Sequence, residues 1–280
     1  MEIYENHELK PYSTFNIGGL CRFFLVVRTE KDLLEAFAFI EKHHMPYFIL
    51  GGGSNILFDS FGYRGIVIYN QIKHVKHDGD LFVVGSGTKI GYLISKMKQK
   101  NLSGLEFGLG IPATVGGMVY MNAGASGSSI SDYIHEVVFV NKEGKRKVFS
   151  KKEIDWGYRV SSFQKMEGMV QEVSFVFPRK KEKDPYLFFK KRKKSQPLNK
   201  YNIGCIFKNF EKKTAGELID QCGLKGLSVG DAQISNLHAN FIVNNGNATS
   251  QDVMELIDLI KNLVHEKTGY QLREEIIRVR

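Results

Sequence analysis

Two glycine-rich stretches do most to restrict the folds open to this chain of 280 residues. The first, Gly51-Gly52-Gly53-Ser54-Asn55, follows at once on the apolar run Tyr47-Phe48-Ile49-Leu50. Before that run lies a helical pattern from Thr29 to His44, with Leu33, Leu34, Phe37 and Ile40 on one face. The order predicts helix, strand, then a glycine turn at the strand's end. Glycine tolerates positive φ and has no Cβ to hold a ligand away, so such a turn can offer several backbone N–H groups to a pyrophosphate. It is neither the G-x-G-x-x-G of a plain dinucleotide fold nor a Walker loop, since no lysine follows. A strand-end turn that binds nothing stays open. The second stretch runs Gly108-Leu109-Gly110-Ile111-Pro112-Ala113-Thr114-Val115-Gly116-Gly117 and leads into Met118-Val119-Tyr120-Met121-Asn122-Ala123-Gly124-Ala125. A helix starting near Val115 would aim its N-terminus at an anion. Tight backbone packing at a corner is the other reading.

Around these loops the chain alternates short apolar runs with helical patterns. Strands are expected at Gly65 to Tyr69, Leu81 to Gly85, Val137 to Val140 and Val170 to Phe177, with a helix over Ile90 to Lys100 and a long structured loop over Asn101 to Gly117. Pro178 and the basic stretch up to Pro197 form a junction. Beyond it Gly204 to Asn209, Ala215 to Gly223, Ala239 to Asn244, Ser250 to Thr268 and Tyr270 to Val279 alternate strand and helix patterns, as a compact α+β unit would. Ser250-Gln251-Asp252 supplies an N-cap and an early acid for the longest helix, and Gly269 ends it.

Composition excludes several classes. Hydrophobic content of 42% and charged content of 25% are those of an ordinary globular chain, without an apolar run long enough for a membrane span. Met1-Glu2-Ile3-Tyr4-Glu5 lacks the basic and apolar regions of a signal peptide, so a cytoplasmic location is expected. Cys21, Cys205 and Cys222 form neither a disulfide framework nor a zinc ribbon, and eight scattered histidines suggest no metal site. The formal net charge is +9, yet Arg179 to Lys194 holds nine Lys or Arg against Glu182 and Asp184. Such a run is a solvated face or an anion site; nucleic-acid binding is the rival reading.

Three distant segments carry the chemistry: Tyr158-Arg159-Val160-Ser161-Ser162-Phe163, Asn202-Ile203-Gly204-Cys205-Ile206-Phe207-Lys208-Asn209 and Leu272-Arg273-Glu274-Glu275-Ile276. They supply a cation, an acid and a carboxylate. A thiol with an ordinary pKa near 8.5 is mostly protonated at neutral pH and can give a proton to carbon. That combination suits a reductase completing a hydride transfer.

Leu50-Gly51-Gly52-Gly53-Ser54-Asn55-Ile56-Leu57, Gly110-Ile111-Pro112-Ala113-Thr114-Val115-Gly116-Gly117 and Met121-Asn122-Ala123-Gly124 resemble, in order and spacing, the flavin-contacting segments of the UDP-N-acetylenolpyruvoylglucosamine reductase family. The resemblance continues through the Tyr158, Cys205 and Glu275 segments, through Gln196-Pro197-Leu198, Ala215-Gly216-Glu217-Leu218-Ile219 and Gly223-Leu224-Lys225-Gly226, and through His238-Ala239-Asn240-Phe241-Ile242-Val243-Asn244. It implies an α+β flavoprotein of the vanillyl-alcohol-oxidase, or PCMH, type, with FAD-binding subdomains at 1–72 and 73–180 and a substrate domain at 181–280. It implies non-covalent FAD held by Gly51, Gly52, Gly53, Ser54, Asn55, Ile56, Gly110, Ile111, Pro112, Ala113, Thr114, Gly116, Gly117, Asn122, Ala123 and Gly124. It further implies NADPH as reductant, an enolpyruvyl UDP-sugar as substrate, Arg159 as the cation on its carboxylate, Glu275 assisting enol formation with Glu274 the alternative, and Cys205 as the acid where most members carry serine. Tyr158, Lys208, Asn209, Arg192 and Lys194 are the implied substrate contacts, with Lys193 an alternative to its neighbours. Departures from the family pattern are Ala113 for a usual glycine, Phe210 for a usual proline and Arg273 for a usual acid. No room is evident for the extra tyrosine loop of one subtype, so the shorter subtype is expected, as a monomer acting on small molecules. A related FAD-dependent oxidase is the rival within the fold.

Overall fold

A computed structural model of the chain describes residues 1–179 and 185–280. Part of the basic run and the expected boundary at 180/181 lie outside the described residues. The chain divides into two compact units: Met1–Glu5, Phe23–Gly52 and Gly65–Lys190 in the first, and Asn6–Arg22, Gly53–Arg64 and Lys191–Arg280 in the second.

In the first unit, helix α1 (Glu30–His43) starts at a capping box in which Thr29 and Asp32 satisfy each other's backbone N–H, and it stops where His44 turns left-handed at φ 50°. Leu33, Ala36 and Phe37, spaced as one helical face, bury against Phe23, Leu25, Ile66 and Ile68. Those partners belong to a four-stranded sheet ordered Glu2–Glu8, Leu20–Val27, Tyr63–Asn70, Tyr47–Leu50, whose last two strands are parallel. The glycine turn therefore leaves the C-terminal end of a sheet-edge strand, as expected.

A second sheet is antiparallel, ordered Arg146–Ser150, Ile134–Asn141, Gly168–Val176, Leu81–Gly85, Val75–Asp78. Ile134–Asn141 is apolar on both faces. Val137 and Phe139 pack with helices α2 (Ile90–Gln99) and α3 (Val115–Tyr120), while Val140 joins the cluster beneath α1, which explains an unbroken run in place of alternation. The loop expected over Asn101 to Gly117 ends at Thr114, where α3 begins, and is irregular but for a single turn of 3₁₀ helix at Glu106–Gly108.

Helix α4 (Pro185–Ser195) carries the basic run from Lys190 to Lys194, while Arg179 lies before it and pairs with Asp80. In the second unit α5 (Ala215–Gln221) and α6 (Ser250–Thr268) enclose a core with Ile206, Phe207, Ile234 and Ile242. The N-cap of α6 is Thr249, not Ser250: Thr249 and Asp252 form the capping box, and Gly269 closes the helix at φ 75°. The strand expected over Tyr270 to Val279 shrinks to Ile277–Val279, parallel to Ile56–Phe58. Gly204 to Asn209 likewise forms no strand, only isolated bridges at Cys205 to Phe241 and Phe207 to Glu274. Among the described residues no helix is long and apolar enough to cross a membrane.

Candidate active site

Gly51 and Gly52 of the first glycine stretch meet the second stretch within the first unit. A Cβ on Gly51 would lie 2.5 Å from Thr114 Oγ1, and one on Gly52 would lie 2.2 Å from the Pro112 carbonyl oxygen and 3.0 Å from Ala113 Cα. Gly52 is thus required by close backbone approach, and Gly51 by the Thr114 hydroxyl. Ala113 takes the family's glycine position without strain, because its φ is not positive; Gly110, at φ 83°, is the left-handed residue of that loop. The N-terminus of α3 is less open than expected. Val115 N–H donates to Thr88 O at 2.9 Å, Gly116 N–H to Ser86 O at 2.8 Å and Gly117 N–H to the Thr114 hydroxyl at 3.4 Å, so its first amides already have acceptors. In contrast, the N–H groups of Gly52, Gly53, Ser54 and Asn55 meet no acceptor among the described residues.

Asn122 lies left-handed at φ 40° and donates through Nδ2 to Gly157 O at 2.9 Å, while its buried Oδ1 has no partner. A buried acceptor left unsatisfied costs about 1–3 kcal/mol, so this atom invites a donor from a bound molecule. Open amides in a glycine cradle and an orphaned acceptor are the donor and acceptor types a dinucleotide with a hydrogen-bonding ring system uses, and FAD fits them.

Tyr158 and Arg159 form the two-residue tip between paired strands Trp156–Gly157 and Val160–Ser161. Arg159 adopts φ 59°, a conformation costing a non-glycine residue about 1–2 kcal/mol. The tip is held because Gln164 Nε2 donates to Arg159 O at 3.1 Å and to Tyr120 O at 2.8 Å. The Arg159 guanidinium sits over the Tyr158 ring at 4.9 Å. Strained backbone that the surroundings enforce is characteristic of functional positions.

In the second unit the Cys205 segment lies between two others. Ile206 N–H donates to Asn240 O at 2.9 Å, Glu275 N–H donates to Ile206 O at 2.8 Å, and Lys208 N–H donates to Arg273 O at 2.8 Å. Cys205 and Glu275, far apart in sequence, therefore both adjoin Ile206, the first through the chain and the second through the Ile206 carbonyl. Asn55 Nδ2 donates to Glu275 O at 3.1 Å, so this side chain secures the C-terminal segment while its own N–H stays open. Ile56 is buried in register with Ile277.

Of the basic candidates, Arg192 is half-buried and Lys193 and Lys194 are exposed. Burial holds the Arg192 guanidinium below its usual range, and the charge of nearby Cys205 opposes that shift. This singles out Arg192 among its neighbours. Lys208 is half-buried, whereas Asn209 is exposed and accepts the Ala215 N–H at 3.0 Å, which places it at the start of α5. Phe210, in place of a proline, uses the N–H that proline lacks to donate to Lys213 O at 2.9 Å and packs edge-on against Tyr270.

Glu274 is committed elsewhere: its carboxylate pairs with Lys261 and takes a 2.6 Å hydrogen bond from Arg278 Nε. Burial pushes its pKa up, but the donations from Arg278 and Lys261 together hold it below the ordinary 4.5. A lowered folded pKa contributes stability that is present above the ordinary value and lost as pH falls through the folded one. Glu274→Gln is therefore expected to unfold at lower denaturant than the native chain at pH 7, by about 1–3 kcal/mol, with the gap closing as the pH falls below the ordinary 4.5. An unchanged gap there would remove the ion cluster as its cause.

The hydrogen-bonding role of Asn240 was not among the expectations; its signal is a polar residue inside the apolar run Ala239 to Val243.

The fold and the open glycine cradle define a flavin-binding oxidoreductase, and residues 22–150 match the family model described as "FAD binding domain". Residues 196–279 match "UDP-N-acetylenolpyruvoylglucosamine reductase, C-terminal domain". A UDP-N-acetylenolpyruvoylglucosamine reductase of Protochlamydia amoebophila is 41% identical over 96% of this chain and 91% of its own length, and that of Chlamydia abortus is 39% identical over 96% and 91%. The crystal structure of the Thermus caldophilus enzyme of that name covers 100% of this chain and 98% of its own, at 35% identity and a TM-score of 0.81. The chain belongs to the UDP-N-acetylenolpyruvoylglucosamine reductase family, with the expected PCMH-type fold.

Proposed function

We propose that this chain reduces the enolpyruvyl group of UDP-N-acetylglucosamine enolpyruvate to the lactyl ether of UDP-N-acetylmuramate in peptidoglycan precursor synthesis, with Cys205, Arg159 and Glu275 as the reacting and charge-stabilising side chains. The observation that carries the reading is similarity along nearly the whole chain to reductases of that name. Bound FAD would supply the hydride-transfer chemistry that links NADPH to the terminal enolpyruvyl carbon. Gly52, Gly53, Ser54 and Asn55 would hold it through their open N–H groups, and Asn122 through Oδ1.

The chain's own residues handle the charge that hydride delivery creates. Arg159 offers a planar fork that holds a carboxylate at two points, where negative charge builds up. The Cys205 thiol gives its proton to the carbon next to that carboxylate: the S–H bond breaks as the C–H bond forms, and solvent later restores the thiol. Arg192, close to Cys205, stabilises the thiolate left behind. Glu275, joined to Ile206 next to Cys205, hydrogen-bonds the enol form. Tyr158, Lys208, Asn209, Arg192 and Lys194 are the substrate contacts, with Arg192 the best placed of the basic set.

We also propose division of labour at residues 1–72, 73–180 and 181–280; the two family-model matches, 22–150 and 196–279, fall on either side of the second boundary. The chain acts on small molecules as a cytoplasmic monomer, a location with which its three free thiols accord.

The test is the visible spectrum of the protein after loading with FAD and desalting, then anaerobic reduction by NADPH and addition of the enolpyruvyl UDP-sugar. Retained flavin that substrate reoxidises is the expected result. No retained flavin in folded protein, or no reoxidation, overturns the reading. Arg159→Lys keeps the charge and loses the fork; it is expected to raise the apparent KM for the UDP-sugar at least about tenfold, while NADPH still reduces the flavin normally.

A further inference from the structure

Asn240 is 2% exposed and sits among Ile206, Phe207, Phe241 and Ile242, all buried apolar residues. An apolar side chain of its size would fill that space without the cost of a buried amide. Instead Nδ2 donates to Phe207 O at 2.8 Å and Oδ1 accepts the Phe207 N–H at 2.9 Å, while the Asn240 backbone carbonyl accepts the Ile206 N–H at 2.9 Å. The side chain thus acts as a strand partner for a segment that has no continuous ladder of its own, only isolated bridges. Asn240 is itself fixed, because its N–H donates to His238 Nδ1 at 3.2 Å. Burial, and then the charge of Lys225, hold the His238 pKa below its ordinary value against the opposing pull of Asp220, so Nδ1 is available as an acceptor at neutral pH. Because Ile206 O receives the Glu275 N–H and Cys205 directly precedes Ile206, whatever fixes Ile206 and Phe207 restrains both Cys205 and Glu275.

We propose that Asn240 is a positioning residue for proton delivery, holding Cys205 and Glu275 in place through its three hydrogen bonds to Ile206 and Phe207. The proposal rests on the functional reading above. It assigns Asn240 no contact with substrate.

The test uses the FAD-loaded enzyme with Asn240→Asp, which keeps the acceptor for Phe207 N–H but sets an oxygen against Phe207 O. Losing one half of a buried two-point contact is expected to raise amide exchange at Ile206 and Phe207 at least about tenfold. It should slow substrate reoxidation of reduced flavin by at least about tenfold, with NADPH reduction of flavin within about twofold of normal. A purely structural role would lower both half-reactions alike, and that result overturns the proposal. So does raised exchange with reoxidation within about twofold of normal. Should Asn240→Asp fail to fold, His238→Ala removes the acceptor for Asn240 N–H along with the ring's tilted contact on Phe241; reoxidation slowed about threefold supports the proposal, and an unchanged rate alongside raised exchange overturns it. If the native enzyme is not reoxidised by the enolpyruvyl UDP-sugar, the functional reading fails separately. The positioning claim is then decided by iodoacetamide: Cys21 and Cys222 are buried, so alkylation reports Cys205. Asn240→Asp should change its rate at least about threefold, and an equal rate overturns the claim.

Discussion

Cys205→Ala is expected to leave reduction of bound flavin by NADPH unchanged and to slow its reoxidation by the enolpyruvyl UDP-sugar by about 10²- to 10⁴-fold, the range a positioned general acid contributes. The side chain is half-buried and lies outside the three apolar clusters, so truncation should cost little stability. Cys205→Ser, the commoner family residue, restores a donor and should recover most of the lost rate. Stopped-flow absorbance at the oxidised-flavin band separates the two half-reactions. Near-native reoxidation in Cys205→Ala would remove the thiol from the mechanism and leave solvent as the proton source. An equal fall in both half-reactions would point to a packing defect instead.

What the sequence made legible was local. Thr29 to His44 and Ser250 to Thr268 declare themselves by apolar period and end signals, and both helices form with capping boxes and left-handed stops. The glycine runs declared their position at a strand end and a helix start for the same reason: glycine marks places where a Cβ has no room. The Glu274 and Glu275 pair was legible only as a choice. Its resolution depends on Lys261 and Arg278 claiming Glu274, and Lys261 lies on a helix whose packing no residue pattern specifies. The strands expected at Gly204 to Asn209 and Tyr270 to Val279 failed because those segments exchange scattered hydrogen bonds with each other and with Asn240 in place of a ladder. Arg159 carried no sign of its left-handed φ, since that arises from a two-residue tip held by Gln164. The residue types of the site were thus readable, while the contacts that fix them, being long-range, were not.

Gly52→Ala should be the most damaging small substitution in the cofactor half. Its new Cβ would stand 2.2 Å from the Pro112 carbonyl oxygen and 3.0 Å from Ala113 Cα; both are backbone atoms that cannot rotate aside. One of the two glycine loops must shift, at a cost of about 1–3 kcal/mol. If that cost falls on the arrangement that presents the open amides, FAD affinity drops by about 10- to 100-fold. Gly91→Ala is the matched control: it lies in α2, nothing stands within 4 Å of its Cβ, and alanine in a helix is worth up to about 1 kcal/mol over glycine. Flavin fluorescence titration and thermal unfolding of the flavin-free protein measure the two effects separately. The expected pattern is weak binding in Gly52→Ala and native binding with a raised midpoint in Gly91→Ala. Native affinity in a folded Gly52→Ala would mean that the contact of the two loops serves packing alone, and the flavin would have to be held by groups other than the Gly52 to Asn55 amides.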